Sequence, residues 1–437
     1  MPHLAALRAE PMARVLLLTL LLGCAAAMVP RPRHSRRRAT PPKPKTHFFD
    51  AGASVTVSIH GLSSDGAGVG RVVSPKTGTE VVLFVPFTVD GDVVTATIAT
   101  QGKRSATAVM TAVIERSPDR AAPSCPHFGD CGGCQYQHVT LDHQRTWKRR
   151  HVADALRRVG GFLNATVAAT VGGPSGYGYR SKLTPHAEDG RVGFRAVDGA
   201  SLVDVDRCAL ADDAVNGGLA ELRALKHPGR RRLLARSHAG GVALTAAASA
   251  RETVGGLDFE HRAGDFFQNN PEALPALVAR VVADAAPGSD FLVDCYCGAG
   301  LFALAAASRF EAVLGIEVDE SNAAAAARNA ARNGVGNAEF AAGRAEDLFK
   351  TATFDAARTT VVVDPPRRGL STDFVSQLVA YGPRRVVYVS CDPATLARDA
   401  AALVASGKFA LGTATPFDLF PMTRHIETVL TLDRAPD

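Results

Sequence analysis

Phe291-Leu292-Val293-Asp294-Cys295-Tyr296-Cys297-Gly298-Ala299-Gly300 decides the fold. Its first four residues are a buried-strand pattern, and they run into a Gly-x-Gly turn and then an Ala-rich helix. A strand, a glycine turn and a helix make a cradle in which backbone amides approach a ligand closely. The turn lacks the third glycine of the full dinucleotide fingerprint, so alone it is a weak signal. The next strand, over 312–316, ends in Glu317. An acid about 20 positions after such a turn is placed to accept both ribose hydroxyls. Together these predict a doubly wound α/β domain, over residues 256–437, that binds an adenosyl ligand. NAD and S-adenosylmethionine are not separated at this step.

Later strand ends carry the chemistry. Val361-Val362-Val363-Asp364-Pro365-Pro366-Arg367-Arg368-Gly369 ends a strand in a carboxylate and a rigid double proline. The strand over 386–390 ends in Cys391-Asp392-Pro393-Ala394-Thr395-Leu396-Ala397-Arg398-Asp399. Asp418-Leu419-Phe420-Pro421-Met422-Thr423-Arg424-His425-Ile426-Glu427 lies near the C-terminus, and Asp265-Phe266-Phe267-Gln268-Asn269-Asn270 precedes the glycine turn. A thiol just past a strand end sits where ligands bind in open α/β sheets. A helix starting near Pro393 is expected to lower its pKa through the N-terminal dipole.

Upstream, 54–60, 80–85 and 93–98 alternate as short strands separated by Gly/Asp turns, which reads as a small antiparallel barrel over residues 52–115. Residues 120–255 hold a cysteine constellation, Cys125-x5-Cys131-x2-Cys134 with Cys208 74 positions later. Four soft thiolates suit Zn²⁺ or an iron–sulfur cluster. Within the same stretch, 144–156 reads as a basic helix. It and the run Arg223, Lys226, Arg230, Arg231, Arg232 and Arg236 are candidate phosphate contacts.

In order, these motifs resemble the RNA uracil-5-methyltransferase family, in its branch with a TRAM domain and a [4Fe–4S] cluster, over about residues 52–432. Gly61-Leu62-Ser63-Ser64-Asp65-Gly66-Ala67-Gly68-Val69-Gly70-Arg71 is similar to the TRAM module, an OB-like RNA-binding barrel. The resemblance implies three parts: a Rossmann-like S-adenosylmethionine methyltransferase domain, a TRAM barrel and an α+β central domain carrying the cluster. It assigns Cys125, Cys131, Cys134 and Cys208 to that cluster. It makes Cys391 the nucleophile and Glu427 the base, with Gln268, Tyr296, Glu317 and Asp364 on the cofactor. Cys295 and Cys297 are read as packing. Carbon 5 of uracil is a poor nucleophile until a thiolate adds to carbon 6, which explains why the chemistry needs a cysteine and then a base. The chain departs from the family at Leu301, where Asn is common, and at Arg344, so neither is given a cofactor role. Ribosomal RNA is the expected substrate ahead of transfer RNA, and a monomer is expected. Two other readings stand. One is an amino-methyltransferase, which would leave Cys391 and Glu427 unused. The other is a TRAM and iron–sulfur RNA-binding protein without activity.

The bulk numbers agree. The chain has 437 residues, 46% of them hydrophobic, and a formal charge of +6. Residues 1–49 carry nine Lys/Arg and one acid, Glu10, so the remainder sums to −2. RNA must then be held by local patches rather than by a general positive field. Val15–Met28 is an apolar run suited to a signal-peptide core, and a basic, acid-free stretch follows it. Residues 1–50 are therefore expected to be an organelle-targeting presequence, plastid ahead of mitochondrion, leaving no stable membrane partner after processing. Without such processing the expected compartment is the cytoplasm.

Overall fold

The computed structural model describes residues 47–347 and 352–436. The expected targeting segment therefore lies, as far as Thr46, outside the described residues.

Ser54–Leu62, Gly68–Val73, Glu80–Val85, Val93–Gln101 and Ser105–Glu115 close into a five-stranded barrel, with the last strand seated between the third and fourth. Alternation points Val57, Ile59, Leu83, Val85, Val94, Ala96 and Ile98 inward. Two of these strands, the second and the fifth, were not legible as strands. In the second, glycines stand where neighbouring chains come close: a Cβ on Gly70 would lie 2.2 Å from Val57 Cγ2.

A helix over Leu141–Arg158 joins the barrel to the rest. One side of it meets the barrel, where Trp147 Nε1 donates to Asp90 Oδ1 at 2.8 Å. Another side packs Val152 and Leu156 into the same core as Leu396, Ala397 and Leu403 of the catalytic domain. Beyond it, a four-stranded and a three-stranded sheet flank the helix Asp213–Ala224. A hairpin of Ser249–Val254 and Leu257–Arg262 follows.

The catalytic sheet has eight strands. Their order is Ala338–Ala342, Ala312–Glu317, Phe291–Cys295, Thr359–Val363, Arg385–Ser390, Glu427–Arg434, Phe409–Asp418 and Val171–Gly172. The first five are parallel, as the near-continuous apolar runs in their sequences require. Glu427–Arg434 is antiparallel to both of its neighbours. Leu292, Val362, Val387 and Val429 share one apolar core with the helix Leu274–Ala285, while Val293, Val363, Tyr388 and Leu430 share another with the helix Pro393–Ala405. The result is a doubly wound sandwich of the expected class.

Candidate active site and cysteine cavity

Strand order reverses between Phe291–Cys295 and Thr359–Val363, and ligands of such sheets bind at that switch point, beyond the carboxyl ends of the strands. Register decides who meets there. Cys295 pairs with Val363, so Tyr296 and Asp364 leave the sheet side by side. Ser390 pairs with Thr428, so Cys391 leaves its strand opposite Glu427. Tyr296, Asp364, Cys391 and Glu427 are therefore fixed by the sheet's own register.

On the cofactor side, Tyr296 and Gly298 adopt positive φ of 65° and 54°, which opens the turn. Glu317 faces it: Oε2 accepts from Gly298 N at 3.0 Å and Oε1 from Asp319 N at 2.9 Å. Gln268 is buried, and its Oε1 has no hydrogen-bond partner among the described residues. The loop carrying it is held by Arg236, which donates to Phe267 O and Asn269 Oδ1, both at 2.9 Å. Asp294 was missed in the sequence, although it stands near the end of the buried strand Phe291–Cys295. It is fully buried and accepts from Ala303 N through Oδ2, while Oδ1 lacks a partner among the described residues. Burial, then the charges of Asp364 and Glu317, push its carboxyl up to about 8. Two orphaned acceptors and an opened glycine turn facing a carboxylate fit a ligand bearing amino and ribose donors.

On the reacting side, burial pushes Asp364 up to about 7. Glu427 is 2% exposed, its Oε1 is unpartnered among the described residues, and burial with the nearby Asp364 charge holds it well above the carboxylate range. The expected lowering of the Cys391 thiol by the helix dipole is not met. Its thiol is pushed up to about 11, first by burial and then by Glu427 and Asp364, with only partial relief from Arg367, which hydrogen-bonds it. The helix dipole does not reach it, because the Asp392 carboxylate already accepts from Ala394 N and Thr395 N at the helix start.

Arg367 is therefore the cation of this cluster, and its role was not read from the sequence. It donates to His425 Nδ1 at 2.7 Å, and burial beside cations holds His425 down at about 4, so that ring is a neutral acceptor. The Arg367 loop is clamped by the helix after Cys391. Asp399 Oδ2 accepts from Leu370 N and from Tyr388 Oη, both at 2.8 Å, and Thr395 Oγ1 donates to Arg367 O. A cation directly after a strand-end proline pair was the available signal. Cys295 and Cys297 are buried, and burial raises both thiols well above the usual range, as packing residues require.

Cys125, Cys131, Cys134 and Cys208 line one cavity of about 150 Å³, together with Phe128, Phe194 and Leu183. No three His, Cys, Asp or Glu side chains among the described residues converge as a single-ion site. Burial and the neighbouring sulfurs push the Cys134 thiol up to about 12, and burial raises Cys131 and Cys208. Four sulfurs lining one cavity are a donor set that suits Zn²⁺ or an iron–sulfur group, either of which would hold them as thiolates.

The basic candidates divide. Arg236 and Lys148 are wholly buried and hold protein groups, so neither can meet a phosphate from the surface. Arg223 is bound to Asp204. Arg231 and Arg232 stay exposed. A groove of about 800 Å³ runs from the barrel residues His60, Arg71 and Phe84, past Trp147 and Arg158, to Arg367 and Cys391. Cations interleaved with aromatic rings are what a single-stranded nucleic acid needs.

The family model described as tRNA (uracil-5-)-methyltransferase matches residues 233–435. The chain is 33% identical over 422 residues to the tRNA (uracil(54)-C(5))-methyltransferase of Schizosaccharomyces pombe, covering 89% of this chain and 79% of that protein. It is 30% identical over 451 residues to the 23S rRNA (uracil(1939)-C(5))-methyltransferase of Marinomonas sp., covering 92% and 99%. Among solved structures, the Pyrococcus abyssi tRNA (uracil-54, C5)-methyltransferase in complex with S-adenosyl-L-homocysteine matches with a TM-score of 0.67 at 25% identity, covering 86% of this chain and all of that one.

Proposed function

The chain belongs to the RNA uracil-5-methyltransferase family and transfers a methyl group from S-adenosylmethionine to carbon 5 of uracil in RNA; from that premise we propose that it does so by covalent catalysis, with Cys391 as nucleophile and Glu427 as base. The observation that carries this reading is the Ser390–Thr428 register, which sets Cys391 opposite Glu427 at the cofactor crevice.

The Cys391 thiolate adds to carbon 6, and the ring electrons move onto the carbonyl as an enolate. Carbon 5 attacks the methyl that S-adenosylmethionine supplies; the methyl–sulfur bond breaks and its electron pair leaves with the thioether, S-adenosylhomocysteine. Carbon 5 then carries both the methyl and its original proton. Glu427 accepts that proton, the 5,6 double bond re-forms, and the Cys391 thiolate leaves as it began. Glu427 returns its proton to water. Arg367 stabilises the thiolate, while Gln268, Tyr296, Glu317 and Asp364 hold the cofactor and Asp364 reaches the uracil. The target base must leave its stack to reach Cys391.

Three finer readings go with this. The four-cysteine cavity holds a [4Fe–4S] cluster, supported by its donor set and tested by iron and sulfide analysis of the anaerobically isolated protein. Large-subunit ribosomal RNA is the first substrate to test, on the strength of the barrel and cysteines; transfer RNA is the second, on the names of the S. pombe and P. abyssi proteins. The protein works as a monomer in an organelle, plastid ahead of mitochondrion. A fluorescent fusion of residues 1–50 that stayed in the cytosol would refute the last point.

Mechanism is tested on a denaturing gel, with a transfer-RNA transcript and a 23S fragment spanning the uridines that the relatives' names specify. Glu427→Gln should trap a covalent RNA adduct, and Cys391→Ala should lose it. If neither substitution changes adduct or methylation, the covalent reading is wrong.

A further inference from the structure

The loop Leu419–Ile426 delivers Glu427 to the crevice, and residues outside the catalytic domain hold most of it. The buried Lys148 donates to Phe420 O at 3.0 Å, and Tyr179 Oη donates to Pro421 O at 3.1 Å. Met422 is the tightest point. Its N–H donates to Gln144 Oε1 at 2.9 Å, and its carbonyl accepts from both Gln135 N and Tyr136 N, at 3.1 and 3.0 Å. Two residues on, Arg424 N donates to Gln135 Oε1 at 3.2 Å.

Gln135 and Tyr136 directly follow Cys134. The contact with the cysteine cavity is also made by side chains: Met422 packs in one apolar cluster with Tyr179 and Leu210, against Cys134 and Cys208. Met422 also has φ of +65°, a left-handed conformation that a side-chain-bearing residue keeps only when its surroundings enforce it. Here the enforcing groups are Gln144 and the two amides that follow a cluster cysteine.

We infer that the four-cysteine cavity positions the catalytic base: the 134–136 segment and the Met422 turn form a mechanical link between the group held by the four sulfurs and Glu427. Met422 and Gln135 are then positioning residues for the proton-removal step, and the cavity serves turnover as well as the fold. This rests on the covalent reading and on the cysteines holding a group.

The test separates proton removal from the earlier steps. In RNA carrying 5-fluorouridine, carbon 5 has no proton to lose, so the methylated adduct is a dead end whatever Glu427 does. The rate of adduct formation on that RNA reports attack and methyl transfer alone. On uridine RNA, turnover also needs the base. The probes are the two transcripts named above, in both forms.

Met422→Ala and Cys134→Ser should form the 5-fluorouridine adduct within about twofold of the unsubstituted rate. On uridine RNA, both should turn over roughly 10²-fold more slowly, the loss expected for a displaced general base, and methylated adduct should accumulate. Met422→Leu, which conserves volume, should restore turnover. If Cys134→Ser does not fold, as judged by circular dichroism, the Met422 pair decides. The inference is overturned if both rates fall together, since the cavity then acts on RNA binding or on the fold. It is equally overturned if neither rate changes. Absence of any 5-fluorouridine adduct with the unsubstituted protein would instead refute the covalent reading, and this inference with it.

Discussion

Alkylation of Cys391 as a function of pH tests the electrostatics of the site directly. Its thiol stands at about 11 because burial, Glu427 and Asp364 all oppose the thiolate. At pH 8 roughly one thiol in 10³ is then ionised, against about a quarter for an unperturbed cysteine. That alone would slow alkylation roughly 200-fold. A more basic thiolate is more nucleophilic, and a Brønsted coefficient of about 0.45 recovers about one order of magnitude. The net expectation is a rate roughly 20-fold below that of an exposed cysteine at pH 8, still rising steeply at about pH 10. The Glu427 charge helps to raise the thiol, so Glu427→Gln removes a repelling group and should shift the profile to lower pH. Arg367→Gln removes the attracting charge and should shift it to higher pH. Iodoacetamide labelling, followed by mass of the Cys391 peptide with circular dichroism at each pH, measures all three. A plateau with its midpoint at or below about 8.5 would refute the burial argument. So would a Glu427→Gln profile that does not move.

Three further outcomes are expected. Lys148 and Asp418 are both fully buried and 2.5 Å apart, so Lys148→Met should cost about 3–5 kcal/mol by stranding a carboxylate. Lys148→Met with Asp418→Asn should recover most of that loss in thermal unfolding. Gly369 has φ of +76°, and a Cβ there would lie 2.3 Å from Asp399 Oδ2. Gly369→Ala should therefore loosen the Arg367 loop and lower kcat more than it raises the KM for RNA, as measured by initial rates. In the barrel, burial raises the Asp92 carboxyl, but Arg120 and the Ser117 and Val89 amides more than offset this and hold it below its ordinary value. A depressed carboxylate stabilises the fold above its unfolded pKa, about 3.9, and that stability is lost as pH falls through the folded value. Asp92→Asn should therefore lower the thermal midpoint by more at about pH 7 than at about pH 3.

Much of the site was legible because its signals are local. A strand-end acid, a glycine turn and a Cys-Asp-Pro string each state their geometry within ten residues. What escaped the sequence depends on distant chain. Lys148 and Arg236 read as surface cations, yet Asp418 draws Lys148 inward, and the Phe267 carbonyl and Asn269 side chain draw Arg236 inward. Val171–Gly172 has no strand pattern of its own, and the edge at Phe417–Asp418 supplies its pairing. Pro393 did mark a helix start, but the dipole argument failed because Asp392 stood closer to the free amides than Cys391 did.

Glu427 illustrates why position along the chain is a poor guide to position in the site. In a purely parallel sheet, only residues that follow strands reach the crevice at the carboxyl edge. Glu427 begins its strand, and it arrives at that edge because Glu427–Arg434 runs antiparallel between Arg385–Ser390 and Phe409–Asp418. The antiparallel insertion thus turns a strand's first residue into the neighbour of Cys391, 36 positions away by number. It also requires the approaching loop to cross the mouth of the site, where the catalytic domain offers it few partners. Gln135, Tyr136, Gln144, Lys148 and Tyr179 supply them instead. Glu427 is therefore positioned from two directions: the sheet register fixes its backbone, and hydrogen bonds from the cysteine-bearing domain hold the loop that leads to it.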